Sequence, residues 1–231
     1  MGSVSGRVLS EVRFGSVAVS DVAYAQPGVL REHQHEHAYV SVLLDGAYTE
    51  LQDGFPRYCP PGTAIRHAAG EVHADYFTAP GRCINFDLVD DSAPLEHILH
   101  AVRATYPKLE RAVGSALSEP AAPIAETPAW LPIVLRDFRW TEHVPLKEAS
   151  DLAGMHPAHF ARAFRKHVGM TPGRYRRRER VRAVSQLLLD SPASLSDIAH
   201  ECGFADQSHL TNVFRETAGI SPNRYRSAFA R

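Results

Sequence analysis

Three histidines, His33, His35 and His37, alternate in REHQHEHAYVSVLLDGAYTE, residues 31–50, just ahead of an apolar run. Residues two apart on an extended strand share a face, so a strand over this stretch would carry three imidazoles and then Tyr39 on one side. Imidazole nitrogens grouped on a sheltered face suit a divalent transition ion. The interleaved Arg31, Glu32 and Glu36 fit the other reading, a solvated edge strand. The thiols offer less: Cys59, Cys83 and Cys202 are widely spaced with no CxxC, which argues for reduced cysteines over a disulfide framework or a zinc ribbon.

A second kind of chemistry is written further along. GRYRRRERVRAVSQLLLDS, from Gly173, places Tyr175, Val181, Val184 and Leu188 on one helical stripe and crowds Arg174, Arg176, Arg177, Arg178, Arg180 and Arg182 around it. Guanidinium groups so arranged can meet phosphates, or pair with Glu179 and neighbouring acids. Charge separates the chain in the same sense when it is cut at the Pro/Ala/Glu-rich stretch SEPAAPIAETP, residues 118–128. Residues 1–128 hold 9 Lys+Arg against 16 Asp+Glu, whereas residues 129–231 hold 16 against 10. An acidic half joined to a basic half implies that the second meets a polyanion.

The elements that position these groups begin with a repeat. LKEASDLAGMHPAHFARAFRKHVGMTPGRYR, from Leu146, and LSDIAHECGFADQSHLTNVFRETAGISPNRYR, from Leu195, are one unit written twice. The offset is 49 up to Gly154 and Gly203 and 50 thereafter, which matches Phe164 to Phe214 and Gly169 to Gly219. Each copy spells a short helix, a glycine turn and a second helix. Ser194 with Asp197 forms a capping box, and Gly203 stands where a C-terminal cap needs positive φ. Asp206 is the N-cap of a helix reaching Gly219 with Leu210, Val213 and Phe214 buried; Pro157 suits a first helical position, and Phe160, Ala163 and Phe164 repeat the stripe. Two helices about a short turn make a helix-turn-helix.

Over about the last 90 residues, and most of all in ASLSDIAHECGFADQSHLTNVFRETAGISPNRYR, the chain resembles the DNA-binding domain of the AraC/XylS transcription regulators. The resemblance implies two helix-turn-helix units in successive major-groove segments of double-stranded promoter DNA. Carried over by position, the first recognition helix presents His156, Ala158, Ala161 and Arg162, and the second presents Asp206, Gln207, Ser208, Thr211 and Asn212. Arg162 has the fork to grip guanine, and Gln207 or Asn212 the amide to grip adenine; Ala158 and Ala161 offer at most a thymine-methyl contact. Arg177 is assigned to phosphate. His159 and His209, at equivalent places, are expected to pack or meet phosphate.

Before residue 93 the chain is short apolar segments punctuated by turns, among them SVAVSDVAY, AYVSVLLDG, DGFPRYCPPG, ADYF and RCINFDL, the pattern of an all-β sandwich or barrel. LEHILHAVRATYPKLERAVGSAL then has the period of one or two amphipathic helices divided near Pro107. His33, one residue, His35 and ten residues to Gly46 resemble the first cupin motif, with Tyr39 where a Glu is usual. GTAIRHAAGEVHADYF resembles the second, with Ala68 in place of proline and His73 in the expected position. This resemblance implies His33 and His35 on one strand facing His73 on another, around an open position for a divalent transition metal, zinc first. Tyr39, Glu71 or Cys83 would supply a further ligand, Cys83 favouring zinc, and His37 and His67 are spectators or support.

The expected fold is α+β with two domains: a cupin-like barrel over 1–93, amphipathic helices and a Pro/Ala-rich linker over 94–128, and an all-α double helix-turn-helix over 129–231. No stretch approaches about 18 consecutive apolar residues, and MGSVSGRVLSEVRFGS lacks the apolar core of a signal peptide, so a cytoplasmic protein without a membrane partner is expected. The functional expectation is a sequence-specific transcription regulator whose barrel senses a metal ion or small molecule, with no catalytic residue assigned. Its partners would be promoter DNA, the effector, a second copy in a homodimer, and RNA polymerase for an activator. The alternative is a metal-dependent cupin enzyme with a DNA-binding tail, against which stand the missing Glu and the lack of an acid/base pair beyond the histidines.

Overall fold

A computed structural model of the chain describes residues 5–89, 95–118 and 128–230. The expected boundary at 93/94 and most of the Pro/Ala-rich linker lie outside the described residues.

The N-terminal part is nine strands: β1 Arg7–Phe14, β2 Val17–Tyr24, β3 Gly28–His33, β4 Ala38–Asp45, β5 Tyr48–Gln52, β6 Phe55–Cys59, β7 Ala64–His67, β8 His73–Phe77 and β9 Gly81–Leu88. They form two antiparallel sheets, β1-β2-β9-β4-β7 and β3-β8-β5-β6, the two-sheet barrel that the turn-punctuated apolar runs imply. α1 Leu95–Thr105 and α2 Glu110–Ser118, separated by a 3₁₀ turn at Pro107–Leu109, cover the outer face of the five-stranded sheet. There Ile98, Ala101, Val102 and Val113 pack on Val17, Val40, Ile84 and Phe86. Each residue named is at most 4% exposed, so this face is as dry as a domain core.

The C-terminal part is α3 Trp130–Asp137, α4 Leu146–Leu152, α5 Pro157–Val168, α6 Pro172–Asp190, α7 Leu195–Glu201, α8 Gln207–Ala218 and α9 Pro222–Phe229. The caps fall where the side chains dictate. Thr171, Ser194 and Ser221 each accept a backbone N–H in the first turn of their helix, and Gly169 and Gly219 close α5 and α8 in the left-handed region. α4 and α5 form the first helix-turn-helix, with α3 and Trp140 completing its core. α7 and α8 form the second, whose core takes in α6 and α9. Among the described residues no helix is long and apolar enough to cross a membrane.

One element departs from expectation in a way that matters. β3 ends at His33, and His35 and His37 lie in the turn before β4, so the three alternating histidines do not share a strand.

Candidate metal centre and nucleic-acid interface

His33 and His35 nevertheless converge on His73. His33 closes β3 and is the cross-strand partner of His73, which opens β8, after a register shift beyond Leu30. The turn then carries His35 back over the same spot. Ring centroids stand 4.2 Å apart for His33 and His73 and 5.1 Å for His33 and His35, and one ligand nitrogen from each of the three lies within 4.8 Å of the others. The three converge without a shared strand face, because the bulged strand end and the turn do the aiming.

The lone pairs are available. His33 Nδ1 is engaged with the Arg31 carbonyl at 2.8 Å, which leaves Nε2 for an ion. His35 Nε2 and His73 Nδ1 are buried with no hydrogen-bond partner among the described residues. Burial, reinforced by the neighbouring imidazoles, lowers the pKa of His35 to about 4 and of His73 to about 3. Both are therefore neutral, as ligation requires, near neutral pH. Three imidazoles with free nitrogens fit a divalent ion of the zinc class.

His67, expected as a spectator or a supporting group, packs against the cluster. It stacks between Tyr39 and His73 at centroid distances of 4.5 and 4.4 Å, and its Nδ1 meets Glu71 Oε1 at 2.9 Å. His67, Glu71 and His73 make a second group whose ligand atoms lie within 4.8 Å of one another. Tyr39, where the motif Glu was expected, pairs its hydroxyl with His73 Nε2 at 3.0 Å. Cys83 belongs to neither group. It lies on β9 among Leu43, Ile65 and Phe77, and burial pushes its thiol up to about 12, which keeps it protonated.

These groups open on a cavity of about 290 Å³. Two acids that sequence reasoning missed, Glu50 on β5 and Asp75 on β8, line it too. Burial raises the pKa of both carboxyls. Their parity was the available signal: Asp75 lies two residues beyond His73 on one strand, and Glu50 two beyond Tyr48, so each points to the same side as a residue of the cavity wall.

In the C-terminal half, Ala158, Ala161 and Arg162 on α5 and Gln207, Ser208 and Asn212 on α8 are exposed, with Thr211 half-buried. His156 and Asp206 serve as N-caps: the His156 ring accepts from Ala158 N at 3.3 Å and the Asp206 carboxylate from His209 N at 2.7 Å. His209 packs edge-on against Phe204. The arginines of α6 are tied down more than their crowding suggested. Arg176 lies over Phe138, Arg178 over Phe55 and Arg180 over Phe204. Arg177 pairs with Glu216, and Arg182 donates to the Asp53 carbonyl at 2.8 and 3.0 Å.

The wall between the cavity and the C-terminal half is one sheet thick. On β5, Tyr48 and Glu50 face the cavity, while Thr49 donates its hydroxyl to the Ala218 carbonyl at the end of α8 and Leu51 packs into the core of the second unit. On β8, Asp75 and Phe77 face the cavity, whereas Tyr76 is buried among Val181, Leu210 and Tyr225 and accepts from Arg224 Nε at 2.8 Å. The β5–β6 turn adds a hydrogen bond from Ser185 Oγ to the Gly54 carbonyl.

Comparison with known proteins gives likenesses for the two halves separately. A model of the helix-turn-helix domain family matches residues 149–228. The chain is similar to the HTH-type transcriptional activator RhaS of Enterobacter sp., 31% identical over 83 residues, 36% of this chain and 28% of that protein. The chain therefore spans less than a third of that relative's length. Among solved structures, it is similar to the DNA-binding domain of AdpA in complex with a target DNA (31% identity, TM-score 0.37, 38% of this chain and 80% of that one). It is also similar to a cupin superfamily protein from Desulfitobacterium hafniense (17% identity, TM-score 0.33, 38% and 79%). The repeated unit and the matched domain make residues 149–228 a helix-turn-helix domain, carried behind a two-sheet β-barrel.

Proposed function

We propose that the protein is a sequence-specific DNA-binding transcription regulator in which the barrel senses a metal ion or a small molecule and passes that state to the second helix-turn-helix unit. The observation that carries this reading is the shared wall: β5 and β8 present one face to the histidine cavity and the other to the core behind α8. His33, His35 and His73 would hold the ion, zinc first, with Tyr39, Glu71 or His67 completing or supporting the shell. When bound, the ion would supply a Lewis-acid position for an effector's oxygen or nitrogen. A change in the cavity then biases two arrangements of the wall against α8, which is how differential affinity for two states becomes regulation.

DNA would be read by Arg162 from α5 and by Gln207 and Asn212 from α8, with Ser208 and Thr211 beside them and Ala158 and Ala161 against thymine methyls. His156 and Asp206, occupied as caps, would set the helix ends against the backbone. The test is binding to an operator selected from random-sequence DNA, measured at several salt concentrations. Arg162→Ala should cost about 1 to 3 kcal/mol on the operator and little on random DNA. Arg177→Ala should weaken both alike and reduce the salt slope by about one. Equal affinity for operator and random DNA in the unaltered protein would refute the reading.

A further inference from the structure

Glu50 and Asp75 are direct cross-strand partners on β5 and β8, 1% and 7% exposed, and both line the cavity. Like charges directly opposite on a sheet are destabilising, and a buried carboxyl without hydrogen bonds is costly. Both oxygens of Glu50 and Oδ1 of Asp75 have no hydrogen-bond partner among the described residues. Arg57 and His67 approach Glu50 only to 3.4 Å, outside hydrogen-bond geometry, and Arg57 is 44% exposed; His73 stands 4.0 Å from Asp75. Glu50 thus has ion-pair neighbours but no hydrogen bond, and buried oxygens left in that state are ones a ligand can complete.

We infer that the part of the cavity built by Glu50 and Asp75 takes a small organic cation bearing a primary ammonium or guanidinium group. This rests on the reading of the cavity as an effector pocket. Two carboxyls give such a group its acceptors, and Tyr24, stacked on Phe77, adds an aromatic ring to the same lining. Among the described residues no lysine or arginine lines the cavity, so beside the two acids a cation is favoured over an anion. Neither acid joins a three-ligand group with the histidines, but Glu50 stands 3.4 Å from His67 and Asp75 4.0 Å from His73, so this subsite adjoins the metal position.

The test is isothermal titration of the full chain, both stripped with EDTA and loaded with zinc. Putrescine and agmatine are the cationic probes, with xylitol and malonate as neutral and anionic ones. At least one cation should bind about tenfold more tightly than xylitol or malonate, and Glu50→Gln and Asp75→Asn should each weaken it by about tenfold while zinc content holds. Tyr24→Leu, which removes a ring face and no charge, should weaken it several-fold and keeps the inference testable if an amide variant fails to fold. Neither cation binding, xylitol or malonate binding equally well, or both amide variants losing zinc and cation together would overturn it. The last result would make the acids the metal's counter-charge only. If a cation binds but operator affinity does not respond, the inference stands and the sensing reading fails. If operator affinity responds to zinc while no cation binds, the sensing reading stands and the inference fails.

Discussion

The two helix-turn-helix units are written with nearly the same residues and live in different surroundings. The first closes its own core, in which Phe160 and Phe164 meet Leu131, Val134 and Trp140 from α3 and the segment after it. The second borrows part of its core from the barrel, with Tyr76 inside it and Leu51 and Phe55 packed against it. Equivalent glycines show the contrast at atomic scale. Gly169 and Gly219 both cap their helices with positive φ, yet a Cβ added at Gly169 meets nothing within 4 Å, whereas one at Gly219 runs into the ring of Tyr58 on β6. A duplicated sequence therefore does not mean duplicated surroundings: among the described residues it is the second unit whose core takes in barrel side chains.

The sharpest break in this contrast is Tyr76→Ala. Removing a 1% exposed ring from the barrel should cost about 3 to 5 kcal/mol. Hydrogen exchange should show protection lost on β8 and α7–α9 and kept on α4 and α5. Loss spread evenly over both units would mean that they do not differ in their attachment. Next in size is the glycine pair. Gly169→Ala should cost about 1 kcal/mol from its backbone conformation alone, and Gly219→Ala about 2 to 4 once the clash with Tyr58 is added. Equal shifts in thermal melting would show that β6 yields freely.

Acid should separate the units more gently. His35 and His73 have folded pKa values near 4 and 3, below the usual 6.5, so the unfolded chain takes up protons first. Stability from keeping them neutral is present above about 6.5 and is lost as pH falls toward those values. Metal-free protein moved from pH 7 to pH 5 should thus loosen in the barrel and the second unit before the first, and His35→Gln should blunt the difference. Exchange rates that rise equally in α5 and α8 would contradict this.

Much of this was legible in the sequence. The repeat, its caps and its buried stripes are local signals, and Ser194, Asp206, Gly203 and Gly219 do what their side chains and φ preferences dictate. His33, His35 and His73 were legible through motif spacing, although the period-2 argument placed His35 on a strand that ends two residues earlier. What escaped was tertiary. Glu50, Asp75 and His67 become a set only when β5, β7 and β8 close on one cavity. Likewise, the arginines of α6 brace Phe138, Phe55, Phe204 and the Asp53 carbonyl because of neighbours that no helical period reveals.

The wall formed by β5 and β8 is best tried by measuring operator affinity with and without zinc, on fragments in which either the α5 or the α8 half-site is scrambled. Zinc should change the contribution of the half-site read by α8 and leave that of α5 unchanged, and Thr49→Val, which removes the hydroxyl bond to Ala218, should diminish the response. A zinc effect equal at both half-sites, or one untouched by Thr49→Val and absent only when His35 is replaced, would show that the cavity does not act through this wall.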